Sequence, residues 1–289
     1  MSVDTHPGSW KERLGRIPGA AVLLRAIEKS NEDHAKDMAA SIAYFSFFSL
    51  FPLLVGVVAG ASLFLERDEI QARLDRMLSD EFPGSADFLR TNIEALIDLR
   101  GAAGIASVVG LLWAASKMFG ALSRGINLAL GIPKGHPFYL SRLRYFAMTV
   151  VVSLLLLCAV AASMALDVLL QFNPAQLGLD ETALGALAGH VASFVFIFLT
   201  ISLMYMLVPY KRRPWRELLP GALVAAVLFE FGKALFVLYL NSISSLQAVY
   251  GSLTSVIVLL LWLYFSARVL LFGAELTAAR AEAQDQESS

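Results

Sequence analysis

The sequence has few of the residues that soluble enzymes use for chemistry. Of its 289 residues, one is a cysteine, four are histidines and 16% are charged. Cys158 lies in the apolar run LLLLCAVAA, so no disulfide can form within the chain, and a small apolar side chain in a helix is its simplest role. The histidines form no HxH or HxxH pair and stand far apart, at His6, His34, His136 and His190. A metal-dependent nuclease needs clustered ligands, so we expect no metal site and no catalytic residues.

Other signals are absent as well. There is no GxxxxGK[ST] phosphate loop, and no basic patch interleaved with aromatic residues that would suit RNA. We therefore expect no cofactor, no nucleic-acid partner and no enzymatic activity. The first 38 residues lack an apolar h-region, so we expect no cleavable signal peptide and an uncleaved first membrane helix as the targeting signal.

Apolar sequence is what the chain has in excess. Hydrophobic residues make up 57% of it, and they recur in runs of about 20 or more residues, the length that crosses the ~30 Å hydrocarbon core of a bilayer as a helix. We predict an all-α polytopic membrane protein whose membrane domain, residues 39–275, contains six transmembrane helices. The predicted spans are about 39–65, 102–123, 145–170, 183–208, 218–240 and 250–274.

Three segments lie outside the spans. Residues 1–38 are polar with a helical middle that starts at Pro18, and they form either a helix on the inner leaflet or a solvated cytosolic segment. Residues 66–100 keep helical spacing on both sides of Phe82-Pro83-Gly84, which predicts a small outer cap; a structural cap is favoured over a ligand-binding lid. Residues 276–289 are polar, and we expect a disordered cytoplasmic tail that frays.

The distribution of basic residues predicts the orientation. Six lie in 1–38, four in 124–144 and four in 209–217, whereas five lie in the predicted outer cap and none in the short links at 173–181 and 241–249. Because basic residues concentrate on the cytoplasmic side, both termini are expected in the cytoplasm.

Two charged residues lie inside the fifth predicted span. Glu230 and Lys233 are three residues apart, so they share a helix face and can pair. Counted from Leu218, Glu230 lies about 18 Å deep, near the middle of the membrane. A charge at that depth is a candidate functional site, and the alternative of equal weight is a self-neutralised pair that fixes helix packing.

Other charges lie nearer the inner interface. Arg268 and Lys117 reach similar depths there, and snorkelling is the simpler role for Arg268. Together with Arg124, Arg142 and Lys211 they suggest a basic ring that could bind an anionic headgroup.

Two further features concern helix shape and packing. Pro52 falls within the first span and is expected to kink it, while Gly56 and Gly60 form a GxxxG pair that permits close helix approach. His190, in the fourth span, is expected to be a satisfied bundle histidine, with a proton relay as the alternative.

Three stretches resemble one family. They are AASIAYFSFFSLFPLL (39–54), LLWAASKMFGALSRGINLALGI (111–132) and the long run 220–276 with its YGS, LLLWLY and GAEL segments. The chain resembles the YihY/virulence factor BrkB family over roughly residues 20–280. The resemblance implies six spans and a bacterial inner-membrane location, but no agreed reaction, so no catalytic residue is carried over. Members are often labelled ribonuclease BN, a label that the scattered histidines disfavour.

Two functional hypotheses follow. The first is a transporter or flippase-like protein for an anionic lipid or envelope precursor, with membrane lipids as partners and anionic headgroups bound at the cytoplasmic side. The second is a non-transporting membrane scaffold or envelope assembly factor, with a second copy of the chain or another envelope protein as partner.

Overall fold

The regular structure of the described chain is helical. The structure, a computed structural model, describes residues 18–61, 84–97, 117–132, 181–211, 213–242 and 253–287, together with Tyr250 and a few positions between 72 and 79. The longer helical segments among these residues are labelled α1 to α7. They are α1 (Pro18–Glu32), α2 (Ala35–Ala61), α3 (Ala86–Ile97), α4 (117–129), α5 (Glu181–Leu207), α6 (Trp215–Ser242) and α7 (Thr254–Glu287).

The C-terminal helix α7 is at the centre of the described bundle. It packs against α1, α2 and α6, and α5 packs against α6. The main core contains small residues of α7 and α6, among them Ala267, Ala274, Ala222 and Ala225. Small side chains on both helices let their backbones approach closely, which is typical of packing between membrane helices.

The predicted spans can be compared with these helices. The first, fourth, fifth and sixth overlap α2, α5, α6 and α7. Of the second, only 117–123 falls in the described part, and the third lies outside it. Within the described residues, Trp215–Leu240 (26 residues) and Thr254–Gln284 (31 residues) are long and apolar enough to cross a membrane. The all-α fold with membrane-spanning helices is therefore supported, and the count of six spans stays a prediction.

Pro52, Gly56 and Gly60 lie within α2, but their packing is outside the described part of the structure, as is that of His190 in α5. The predicted kink, close approach and histidine role therefore stay untested.

Aromatic packing joins α6 to α7. The Trp262 side chain is buried, with its ring centroid 5.4 Å from that of Phe229 and 4.9 Å from that of Phe236. Edge-on and tilted contacts at these distances add to the burial of apolar area. The helices α6 and α7, which the sequence predicts as the fifth and sixth spans, are thus held together by direct contact between aromatic side chains.

The short helix α3, in the predicted outer cap, lies against α2 and α7. Leu89 is fully buried with Leu50 and Leu259, and the Ser85 hydroxyl donates to the Ser255 carbonyl at 3.1 Å. Arg90 Nε donates to Asp75 Oδ1 at 2.7 Å, which ties α3 to the segment before it. Apolar packing and hydrogen bonds of this kind would hold a structural cap in place.

Leu89→Ala tests that attachment. Truncating a buried leucine costs about 2–5 kcal/mol, because apolar burial is lost and a cavity remains. We expect α3 to detach, so that a protease cleaves the 84–97 segment faster in the variant than in the wild type. Thr91→Ala, on the exposed face of α3, is the control and should leave the cleavage rate unchanged. Equal cleavage of the Leu89 and Thr91 variants would show that this leucine does not hold the helix.

The chain after Glu275 differs from the expectation of a frayed tail. The structure continues α7 to Glu287 and buries Thr277, Ala278 and Ala279. Arg25 of α1 lies 3.3 Å from the carboxylate of Glu282. The polar sequence here is the outer face of a helix whose small residues face the bundle.

Candidate functional site

The strongest candidate is a group of three polar side chains between α5 and α6, which we call the α5–α6 triad: Ser193, Glu230 and Lys233. The Ser193 hydroxyl donates to Glu230 Oε1 at 2.9 Å, and Lys233 Nζ donates to Ser193 Oγ at 3.0 Å. Lys233 Nζ also lies 3.2 Å from Glu230 Oε1. The pairing that the i,i+3 spacing predicts is confirmed, and Ser193 extends it to a second helix.

The triad is not sealed in the core. The Glu230 side chain is 25% exposed, and the Lys233 side chain is 16% exposed. The neighbouring apolar residues of α6, Val227 and Phe231, are exposed, as is Val195 on α5. Charged groups at the edge of an apolar surface can contact the headgroup of an amphiphile whose chain lies along that surface.

A second polar group joins α1 to α7, and we call it the α1–α7 cluster: Lys29, Ser30, Asp33, Arg268 and Glu275. Arg268 Nη1 donates to Ser30 Oγ at 3.3 Å, and Lys29 Nζ lies 3.4 Å from Asp33 Oδ2. Glu275 is 1% exposed and lies among these charged groups. Arg268 is therefore tied to α1, whereas Glu230 contacts Ser193 and Lys233, so the two predicted site charges belong to different clusters.

The basic link 209–217 is anchored on the end of α4. Asn127 Oδ1 accepts the Tyr210 backbone N–H at 2.8 Å, and Asn127 Nδ2 donates to the Ser123 carbonyl at 2.6 Å. Arg213 Nη2 donates to the Leu130 carbonyl at 3.0 Å, where a cation suits the negative end of the helix dipole.

Gly131 ends α4 in the left-handed conformation, with φ 67°. Its N–H bonds the Leu128 carbonyl at 2.9 Å, and the Ile132 N–H bonds the Asn127 carbonyl at 2.8 Å, which is a Schellman ending. A sharp helix end leaves the Leu130 carbonyl available to Arg213.

The predicted basic ring is described only in part. Lys117, Arg124 and Lys211 are exposed, Arg268 is half-buried against α1, and Arg142 lies outside the described residues.

Sequence reasoning missed four residues of these clusters: Ser193, Lys29, Ser30 and Asp33. Ser193 and Ser30 are hydroxyls on helices, and Asp33 lies between α1 and α2. A polar residue in an apolar run could have flagged Ser193, but its partners are 37 and 40 residues away. Asp33 and Ser30 gain their importance from contacts with the other end of the chain.

Long apolar helices, a close contact between small residues and an ion pair within an apolar helix are together typical of an integral membrane protein. A family model described as "Virulence factor BrkB" matches residues 26–289, so the chain belongs to that family, as the resemblance implied. The UPF0761 membrane protein of Psychromonas ingrahamii is 28% identical over 90% of this chain and 87% of its own length. Its counterpart in Vibrio vulnificus is 26% identical over 95% of this chain and 88% of its own length.

A UPF0761 membrane protein of Xanthomonas campestris is 28% identical over 93% of this chain, which spans only 63% of that relative's length. No solved structure matches the chain. The names of the relatives place the chain in the membrane and assign it no activity.

Proposed function

We propose that the protein is a transporter or flippase-like protein for an anionic amphiphile such as a lipid or an envelope precursor. The observation that carries this proposal is the α5–α6 triad, which lies midway along a helix long enough to cross a bilayer. A charge at the centre of a membrane helix costs at least about 2.5 kcal/mol, so charges retained there are functional candidates.

The surroundings of the triad suit an amphiphile. An anionic headgroup could replace Glu230 as the partner of Lys233, and Ser193 could turn its hydroxyl to either of them. The apolar chain would stay on the exposed surface that includes Val227 and Phe231. The headgroup would compete with the Glu230 carboxylate for the Lys233 ammonium group. Before a lipid binds, the site is therefore already neutral.

We also propose that the substrate approaches the protein from the cytoplasmic side of the membrane. We place the protein in a bacterial inner membrane with six spans and both termini in the cytoplasm. Lys117, Arg124 and Lys211, all exposed, would then attract anionic headgroups at the cytoplasmic face. In this arrangement the protein moves its substrate without catalysing a covalent reaction.

A scaffold for envelope assembly is the second candidate, and one observation favours it. The α6 and α7 backbones approach closely at Gly221 and Gly273, where an added Cβ atom would overlap a carbonyl oxygen of the facing helix. Packing this close suits a rigid organising protein that holds partners by its outer faces, and such a protein would move no lipid.

One experiment separates the two candidates. Purified protein is placed in vesicles that contain fluorescent phosphatidylglycerol, and the movement of this lipid between leaflets is followed by chemical quenching from outside. Glu230→Gln is expected to slow the movement about tenfold, the effect of roughly 1.4 kcal/mol on the barrier. Arg268→Ala, made separately, should slow it as well.

Glu217→Gln is the matched control, because Glu217 lies on the same helix and its exposed carboxylate is 3.8 Å from Arg213. Unchanged lipid movement in correctly inserted Glu230 and Arg268 variants would reject the proposed site. A complete lack of movement in the wild type, together with specific crosslinks to envelope proteins, would favour the scaffold.

A further inference from the structure

An exposed cation lies over an exposed aromatic ring where α6 begins, and we call these two residues the Trp215–Arg216 pair. The guanidinium carbon of Arg216 is 5.8 Å from the centroid of the Trp215 ring. Trp215 is 55% exposed, and Arg216 is exposed as well. An arginine that stacks on an aromatic face is partly ordered before any ligand binds, so less side-chain freedom is lost when one does.

Among the residues that the structure describes, no carboxylate pairs with Arg216. The adjacent acid, Glu217, lies 3.8 Å from Arg213, and Arg213 also donates to the Leu130 carbonyl. The link before α6 is held further by the hydrogen bond from the Tyr210 N–H to Asn127. Arg216 is therefore a cation without a counter-charge on an anchored part of the chain.

An exposed apolar face continues from Arg216 along α6. Leu223, Val227 and Phe231 follow it by about two, three and four helical turns, so all four side chains lie on one side of the helix. These three residues are 47%, 51% and 63% exposed. Because α6 is long and apolar enough to cross a bilayer, lipid chains are the expected cover of this face.

The spacing between the cation and the apolar face suits a phospholipid. Arg216 precedes Leu223 by about 10 Å along the helix axis, at about 1.5 Å per residue. The headgroup region on each side of a bilayer is about 5–7 Å thick, and a long arginine side chain spans a further few ångströms. With Leu223 at the edge of the hydrocarbon, the guanidinium reaches the level of the phosphates, where tryptophan is also enriched.

We propose that the Trp215–Arg216 pair binds the phosphate of an anionic phospholipid whose acyl chains lie along Leu223, Val227 and Phe231. The planar guanidinium donates two parallel hydrogen bonds to phosphate oxygens. Lys211, exposed on the same link, adds positive potential that favours an anionic lipid over a zwitterionic one. This site goes beyond the proposed transport, because it retains a lipid at the membrane surface in a transporter and in a scaffold alike.

Native mass spectrometry of the purified full-length protein tests this site. The protein in detergent is mixed with equal amounts of phosphatidylglycerol and phosphatidylcholine that carry the same acyl chains, and the ratio of the two lipids that stay bound is measured. We expect the wild type to prefer phosphatidylglycerol and Arg216→Gln to lower that preference about tenfold, the effect of one charge-assisted hydrogen bond. Trp215→Leu, which keeps the cation and removes the ring, should lower it about threefold.

Lys36→Gln is the matched control, because it removes one exposed cation at the start of α2 and should leave the preference unchanged. An equal loss in the Lys36 and Arg216 variants would show general attraction to charge and overturn the site. A wild type that retains both lipids equally, or that is a dimer with neither lipid bound, would overturn it too, and the dimer would assign this face to a second copy of the chain. Lipid binding is measured without transport, so a Glu230 variant that moves no lipid should keep the wild-type preference.

Discussion

Replacing Gly221 by alanine is expected to destabilise the protein by about 3 kcal/mol, at the upper end for an added methyl in a packed core. A Cβ atom at this position would lie 2.2 Å from the Gly273 carbonyl oxygen and 2.0 Å from Thr277 Oγ1. Atoms cannot approach this closely, and the carbonyl is part of the α7 backbone. The two helices would have to move apart to admit one methyl group.

The same contact involves a third helix. A Cβ atom at Gly273 would lie 2.7 Å from the Gly221 carbonyl oxygen and 2.5 Å from the Tyr205 hydroxyl. That hydroxyl is buried and donates to the Leu270 carbonyl. Separation of α6 from α7 would therefore disturb α5 as well, so the effect of the glycine substitution should spread through three helices.

Unfolding of the purified protein in mixed detergent and SDS micelles, followed by tryptophan fluorescence, would measure this effect. Gly19→Ala is the control, because a Cβ atom there has nothing within 4 Å. Thr277→Ala should not rescue the Gly221 variant, since the clash with the backbone carbonyl remains. If Gly221→Ala unfolds at the same SDS fraction as Gly19→Ala, the close contact between α6 and α7 is not present.

Gly232 offers a contrast within α6. The atoms nearest to a Cβ there would be the outer ring atoms of Phe265, the closest of them at 2.0 Å. A smaller side chain such as leucine at position 265 should therefore recover most of the stability lost in Gly232→Ala. Rescue at one glycine and not at the other would separate a side-chain clash from a backbone clash.

The sequence predicts those features of the fold that depend on local pattern. Long apolar runs place α6 and α7, Pro18 begins α1 as expected, and the i,i+3 spacing predicts the pairing of Glu230 with Lys233. Each of these follows from helical periodicity or from the length needed to cross a bilayer. None of these predictions requires knowledge of contacts between residues that are far apart in the sequence.

The remaining features depend on which helices meet. Arg268 contacts Ser30 across 238 positions of sequence, and nothing in either segment indicates that α1 lies against α7. The burial of Thr277 in the polar C-terminal stretch has the same origin. Gly221 and Gly273 resemble many glycines in apolar helices, and only their crossing makes them critical.

Separate and combined removal of the charges in the α5–α6 triad should distinguish a packing role from a functional one. Glu230→Gln leaves the Lys233 ammonium without its carboxylate, and Lys233→Met leaves the carboxylate without its cation. Removal of one partner of a buried pair costs about 3 kcal/mol, whereas removal of both is often close to neutral. We therefore expect each single variant to be strongly destabilised and the double variant to recover most of the loss.

The double variant then decides between the two roles, because it folds without the charges. SDS unfolding gives the coupling free energy, which we expect to be about 2 kcal/mol or more, and the fluorescent-lipid assay gives the activity of the same preparation. A pair that only fixes helix packing predicts a double variant that moves lipid as the wild type does. A pair that binds the headgroup predicts a stable double variant that moves none. Additive losses of stability in the double variant would show that Glu230 and Lys233 do not interact, which would remove the basis of both interpretations.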